Sequence, residues 1–158
     1  EITTRLVGSE MCIRDSSYYN GDFIALEKAH LNKGWKLVDN WHPDNKAGKR
    51  NGFVDVPMLE ATRPGDQLTL DFRGKAIGIF CVSGPSAGIL EYSVDGAPFK
   101  ELDTFTEWSH NLYIPWVYML ETELKDTDHK LVLRISKKKN PASQGTECQI
   151  RNFVVNGR

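Results

Sequence analysis

Gln67-Leu68-Thr69-Leu70-Asp71-Phe72 is the stretch that decides the fold. Leu68, Leu70 and Phe72 fall on one side and Gln67, Thr69 and Asp71 on the other, the period-two pattern of a strand with one buried and one wet face. Arg63-Pro64-Gly65-Asp66 precedes it as a turn, with Pro second and Gly third as type II geometry prefers. Downstream, Lys75 to Val82 is apolar on both faces, which marks a central strand covered on both sides. Ile89 to Val94 runs into Asp95-Gly96, a hairpin signal, and Phe99 to Leu102 supplies the return.

Working outward, Lys130 to Ser136 alternates again, and Gln149 to Val155 reads as a closing strand. Leu112 to Leu124 holds one or two strands interrupted at Pro115. Upstream, strands are expected at Asp22 to Leu26, Trp35 to Val38 (ending toward Trp41), Phe53 to Val56 and Pro57 to Thr62, with a plain connection through His30 to Gly34. No long helical pattern intervenes between Phe53 and Asn156. The expected fold is an all-β, antiparallel two-sheet β-sandwich of jelly-roll type with about nine or ten strands. Function then sits on one sheet face or on the loops at one end.

The 158 residues suffice for one domain with a real core and are too few for two ordinary ones. With 20 basic against 21 acidic side chains, the net charge of -1 recruits neither nucleic acid nor an anionic membrane. No apolar run reaches the roughly 20 residues of a membrane-spanning helix. Residues 1–16 lack signal-peptide anatomy, and Gly8 to Ser16 resembles the translation of a sequencing adapter. We therefore expect a non-native or disordered leader at 1–16 and a single module at 17–158; the alternative is an ordinary N-terminal arm.

Three cysteines, Cys12, Cys81 and Cys148, cannot all pair and lack zinc-site spacing. Cys81 and Cys148 read as buried free thiols, with a Cys81–Cys148 bridge as the alternative. Catalysis has little support. No GxSxG occurs, and Ser109-His110 are neighbours that point apart on a strand. His30, His42, His110 and His129 are dispersed and read as solvated. No cofactor is expected. Calcium is the one metal for which candidates arise, at Asp44, Asn45 and Asp55 or at the Asp126/Asp128 turn, without a recognised loop motif. The Lys137-Lys138-Lys139 run reads as a solvated loop.

The aromatics point elsewhere. Trp35 reads as core, but Trp41, Trp108, Tyr113, Trp116 and Tyr118 lie in or beside polar segments. An indole stacks on the apolar face of a pyranose, the role expected of Trp41, Trp108 and Trp116, while His42, His110, Asn111 and Tyr113 supply groups for its hydroxyls. Binding of a polysaccharide or oligosaccharide through Trp41, His42, Trp108, His110, Asn111, Tyr113 and Trp116 is the expectation.

Gly34-Trp35-Lys36, Gly52 to Pro57, Phe72 to Gly78, Gly84 to Gly88, Glu91 to Gly96 and Trp108-Ser109 together give a further lead. From about Tyr18 onward the chain resembles the β-sandwich that follows the catalytic domain in some bacterial SGNH/GDSL-type hydrolases, many of them carbohydrate esterases. The resemblance implies a galactose-binding-like carbohydrate module, non-catalytic, secreted or periplasmic, with an upstream catalytic domain in the parent chain. The hydrolase's own nucleophile segment and late DxxH do not occur in this sequence. Two alternatives remain: a sandwich that completes or shields the esterase site, and a structural or dimerisation domain without a ligand.

Overall fold

The computed structural model describes residues 21–156, so the expected leader and Cys12 lie outside the described residues. The strands are β1 (Asp22–Ile24), β2 (His30–Lys33), β3 (Lys36–Trp41), β4 (Val56–Ala61), β5 (Gln67–Gly74), β6 (Ala76–Ser83), β7 (Ile89–Val94), β8 (Lys100–Asp103), β9 (Ile114–Glu121), β10 (Thr127–Ile135) and β11 (Cys148–Asn156). They form two antiparallel sheets. One runs β3-β4-β11-β6-β9, with β1 also paired to β11; the other runs β2-β5-β10-β7-β8. This is the expected β-sandwich, with eleven strands among the described residues in place of nine or ten.

The inner faces meet on one core that includes Leu59, Leu68, Leu70, Ile77, Ile79, Leu131, Leu133, Ile150 and Phe153. Leu68, Leu70 and Phe72 all lie inward, and β6 is buried on both faces. Gly65 takes the positive φ that a type II turn requires, and Asp95 (φ 55°) and Gly96 (φ 76°) are both left-handed, as in a type I′ hairpin turn.

Three expectations fail locally. The His30–Gly34 connection is the edge strand β2. Phe53 to Asp55 is not strand: the backbone turns over at Asp55 (φ 57°), whose N–H donates to the Trp41 carbonyl at 2.8 Å. Pro115 does not interrupt β9, because β9 is a sheet edge and a missing N–H is tolerated there.

Cys81 and Cys148 are free and buried, so the bridge alternative does not hold. Burial pushes the Cys81 thiol up to about 12. The Cys148 thiol is raised well above its ordinary range by burial and by the neighbouring Cys81. Among the described residues, no helix is long and apolar enough to cross a membrane.

His129 also departs from its reading as a solvated turn residue. It lies on β10 with its side chain only 7% exposed. Nδ1 meets Asp95 Oδ2 at 2.5 Å and Nε2 meets the Lys125 carbonyl at 2.7 Å. Two acceptors call for two N–H donors, which is the imidazolium. Burial by itself lowers the His129 pKa, but the Asp95 carboxylate and the Lys125 carbonyl together raise it above 6.5. The hydrogen bond from His129, with that from the Lys130 N–H, holds Asp95 below 3.8.

The signs follow from linkage. The raised His129 value stabilises fully below 6.5, and this contribution is lost as pH rises through the folded value. The depressed Asp95 value stabilises fully above 3.8, and this is lost as pH falls through its folded value. His129→Gln should therefore remove a stability increment between those limits that shrinks toward alkaline pH. Asp95 is half exposed, so solvent screening keeps it near or below about 1 kcal/mol. Urea unfolding of both proteins across that pH range is the measurement; a difference independent of pH would refute the ion pair.

Candidate functional site

Sheet alternation builds a polar row on the outer face of the six-stranded sheet. Leu59, Ala61, Cys148 and Ile150 face the core, so Glu60 of β4 and Gln149 of β11 point outward. The register sets Lys36 opposite Glu60 and Glu60 opposite Gln149, which makes one row across three strands. Trp41 Nε1 donates to Glu60 Oε2 at 2.9 Å, and Gln149 Nε2 donates to the same oxygen at 3.1 Å. Lys36 Nζ lies 3.6 Å from the other carboxylate oxygen. Glu147, just before β11, receives a weaker 3.4 Å bond from Gln149. Burial, followed by the charge of Glu60, raises the Glu147 carboxyl above the ordinary range.

A second apolar cluster closes this row at one end. Trp41, Met58, Val82 and Tyr113 pack together on the outer face, with Ala47, Phe53 and Val54 of the 42–55 loop against them. Phe53 stacks on Phe80 at 5.3 Å, and Trp41 meets Tyr113 edge-on at 5.2 Å. The Tyr113 ring passes so close over Gly84 that a Cβ there would lie 2.2 Å from a ring carbon, so Gly84 makes room for the tyrosine. Gly48 N–H donates to the Asn111 carbonyl and Tyr113 N–H to the Gly48 carbonyl, tying the 42–55 loop to the segment before β9. Asn45 Nδ2 donates to the Tyr113 hydroxyl at 2.8 Å. Burial raises the Tyr113 pKa, so its hydroxyl keeps its proton.

Between row and loop lies an open groove of about 610 Å³, lined by Trp41, His42, Asp44, Glu60, Tyr113, Glu147 and Gln149 among others. Its walls combine carboxylates, amides and the Tyr113 hydroxyl. That composition suits a ligand rich in hydroxyls.

The expected site residues divide. Trp41, expected to stack, is only 4% exposed and offers no open ring; Tyr113 is as buried, with its hydroxyl reaching the groove. For Trp41 this corrects the sequence reading, and the cause is the cover supplied by Ala47, Phe53 and Val54. His42 lies on the groove and pairs with Asp55 at 3.1 Å. Trp108 is 62% exposed. It is pushed outward by a turn in which buried Ser109 donates its N–H to the Thr106 carbonyl and accepts from the Thr106 N–H. His110 packs edge-on against Phe105 at 5.0 Å, and the Asn111 side chain is exposed. Trp116 is not in a loop. It lies on β9 opposite Cys81 and is 52% exposed at the sheet edge. Among the described residues, no ring contact or hydrogen bond joins Trp108 or Trp116 to the groove.

The calcium candidates are not drawn together. Asp55 faces His42, Asp128 accepts from Arg73, and among the described residues no three His, Cys, Asp or Glu side chains converge as a metal site. Glu60, Glu147, Gln149 and Lys36 were missed as site residues. Each is an ordinary polar position in its own segment, and only the pairing of strands distant in sequence assembles them.

No family model and no curated protein matches the chain. Solved structures do. A two-domain esterase active on acetylated mannans, co-crystallised with mannopentaose, aligns with a TM-score of 0.62 at 16% identity, over 87% of this chain and 37% of that one. A family two carbohydrate esterase from Cellvibrio japonicus aligns at 0.52 and 12%, over 88% and 34%. An exo-β-1,3-galactanase from Phanerochaete chrysosporium, solved with galactose, aligns at 0.56 and 10%, over 86% and 29%. The chain thus spans about a third of each neighbour's length. At these identities the likeness is one of fold alone.

Proposed function

We propose that this β-sandwich is a non-catalytic, carbohydrate-binding accessory module of a secreted bacterial carbohydrate esterase of the SGNH/GDSL type, and that its glycan site is the groove along the Lys36–Glu60–Gln149 row. The observation that carries the reading is the groove itself. It sets the Glu147 carboxylate, the Asn45–Tyr113 pair and the Gln149 amide around one concavity, on a fold found within carbohydrate-active enzymes. Sugar hydroxyls both donate and accept, and this set offers partners for both. Ser109 is buried in its turn and His110 is packed on Phe105, which favours a binding role over a nucleophilic one.

Trp108 supports a second reading, as a protruding platform on which a sugar face stacks. One calorimetric experiment with mannopentaose and cellohexaose separates the two. If the groove is the site, Tyr113→Phe weakens binding by about two- to tenfold, the worth of one hydrogen bond, and Trp108→Ala leaves it unchanged. The reverse pattern selects the platform. A folded protein that binds neither these nor any glycan of an array refutes carbohydrate binding.

A further inference from the structure

The charge around the groove sets which glycans it can hold; this step rests on the groove being the glycan site. Three carboxylates line it, Asp44, Glu60 and Glu147, against one ammonium, Lys36. His42 at the groove faces Asp55, and the Lys49 ammonium, which is not among the lining groups, is engaged by the Asn45 and Ala47 carbonyls at 3.0 and 3.2 Å. The carboxylates are not equivalent. Glu60 Oε2 accepts from both Trp41 and Gln149, and Oε1 is paired with the Lys36 ammonium at 3.6 Å. Glu147 is half-buried, receives only the 3.4 Å bond from Gln149 at its side chain, and lies beside Glu60.

We propose that the groove discriminates by charge, taking neutral oligosaccharides and excluding uronate-bearing ones, with Glu147 as the specificity-determining residue. A neutral sugar donates a hydroxyl hydrogen to the open acceptor on Glu147, a charge-assisted bond. A uronate brings an acceptor-only carboxylate next to Glu147 and Glu60, where partial burial weakens solvent screening of the repulsion. Lys36 cannot offset both, since it already faces Glu60 from an exposed position.

The test compares β-1,4-linked mannopentaose with the β-1,4-mannuronate pentamer, which differs only in its C6 carboxylates, by calorimetry on the folded protein. Wild type should bind the neutral pentamer about tenfold or more tighter. Glu147→Gln, nearly isosteric and uncharged, should narrow that ratio severalfold, and Lys36→Glu, on an exposed side chain, should widen it. Equal or tighter binding of the mannuronate overturns the charge filter while leaving carbohydrate binding intact. A ratio that Glu147→Gln does not move overturns the role of Glu147. Binding of neither pentamer, with thermal unfolding unchanged, overturns the groove as glycan site and this inference with it.

Discussion

Phe153→Ala should lower the unfolding free energy by about 3–5 kcal/mol, the cost of truncating a large aromatic side chain in a closed core. Phe153 is completely buried and lies in the middle of β11. The register sets it opposite Ile79 on one side and Ile24 on the other, so its ring is shared by three strands of one sheet. Extended strands cannot close a cavity on both flanks without losing their pairing, so most of the vacated volume would persist. For a domain of ordinary stability, the loss is a large fraction of the total. Urea unfolding with a common m-value is the measurement. A change under about 1 kcal/mol would show that the site collapses freely and that Phe153 is not central.

Gly74→Ala should cost about 2–5 kcal/mol. The chain leaves β5 in one sheet and enters β6 in the other through Gly74 and Lys75, a corner with φ 148° at Gly74. An added Cβ would sit 2.0 Å from the Asn156 carbonyl oxygen and 3.0 Å from its carbon. That carbonyl is fixed, because it accepts the Lys75 N–H at 2.7 Å. Two terms therefore combine: the poor fit of an L side chain to that backbone, about 1–2 kcal/mol, and an overpacking displacement of about 1–3 kcal/mol. Gly65→Ala separates them. Gly65 also has positive φ (87°), but nothing lies within 4 Å of the added Cβ, so only the conformational part should appear. Equal losses at both positions would rule out the clash at the corner.

The fold was legible wherever local pattern and global burial agree. Gln67 to Phe72 alternates because one sheet face is wet, Ala76 to Ser83 does not because the 42–55 loop covers Phe80 and Val82 while Met119 and Val154 crowd Gly78, and the Pro64-Gly65 and Asp95-Gly96 turns carry their geometry in their own residues. The site was less legible, for two physical reasons. Exposure of Trp41 was inferred from its polar neighbours, yet Phe53 and Val54, at the far end of the same loop, fold back over the sheet and cover it. The Lys36–Glu60–Gln149 row depends on which strands pair, and no one of its members is unusual in its own segment. His129 fails for the same reason as Trp41: its partner Asp95 sits in a turn 34 positions away.

The place of β11 also governs how this protein is made. It lies between β4 and β6 and also pairs with β1, yet it is the last of the eleven strands in chain order. Until it emerges from the ribosome, β4 and β6 each present an unpaired backbone edge, and at roughly 5–20 residues per second that interval lasts for seconds. The other sheet is complete once β10 is out. A nascent chain stalled before Cys148 would thus expose half a sandwich with open hydrogen-bonding edges, the form in which chaperones rather than solvent must hold it.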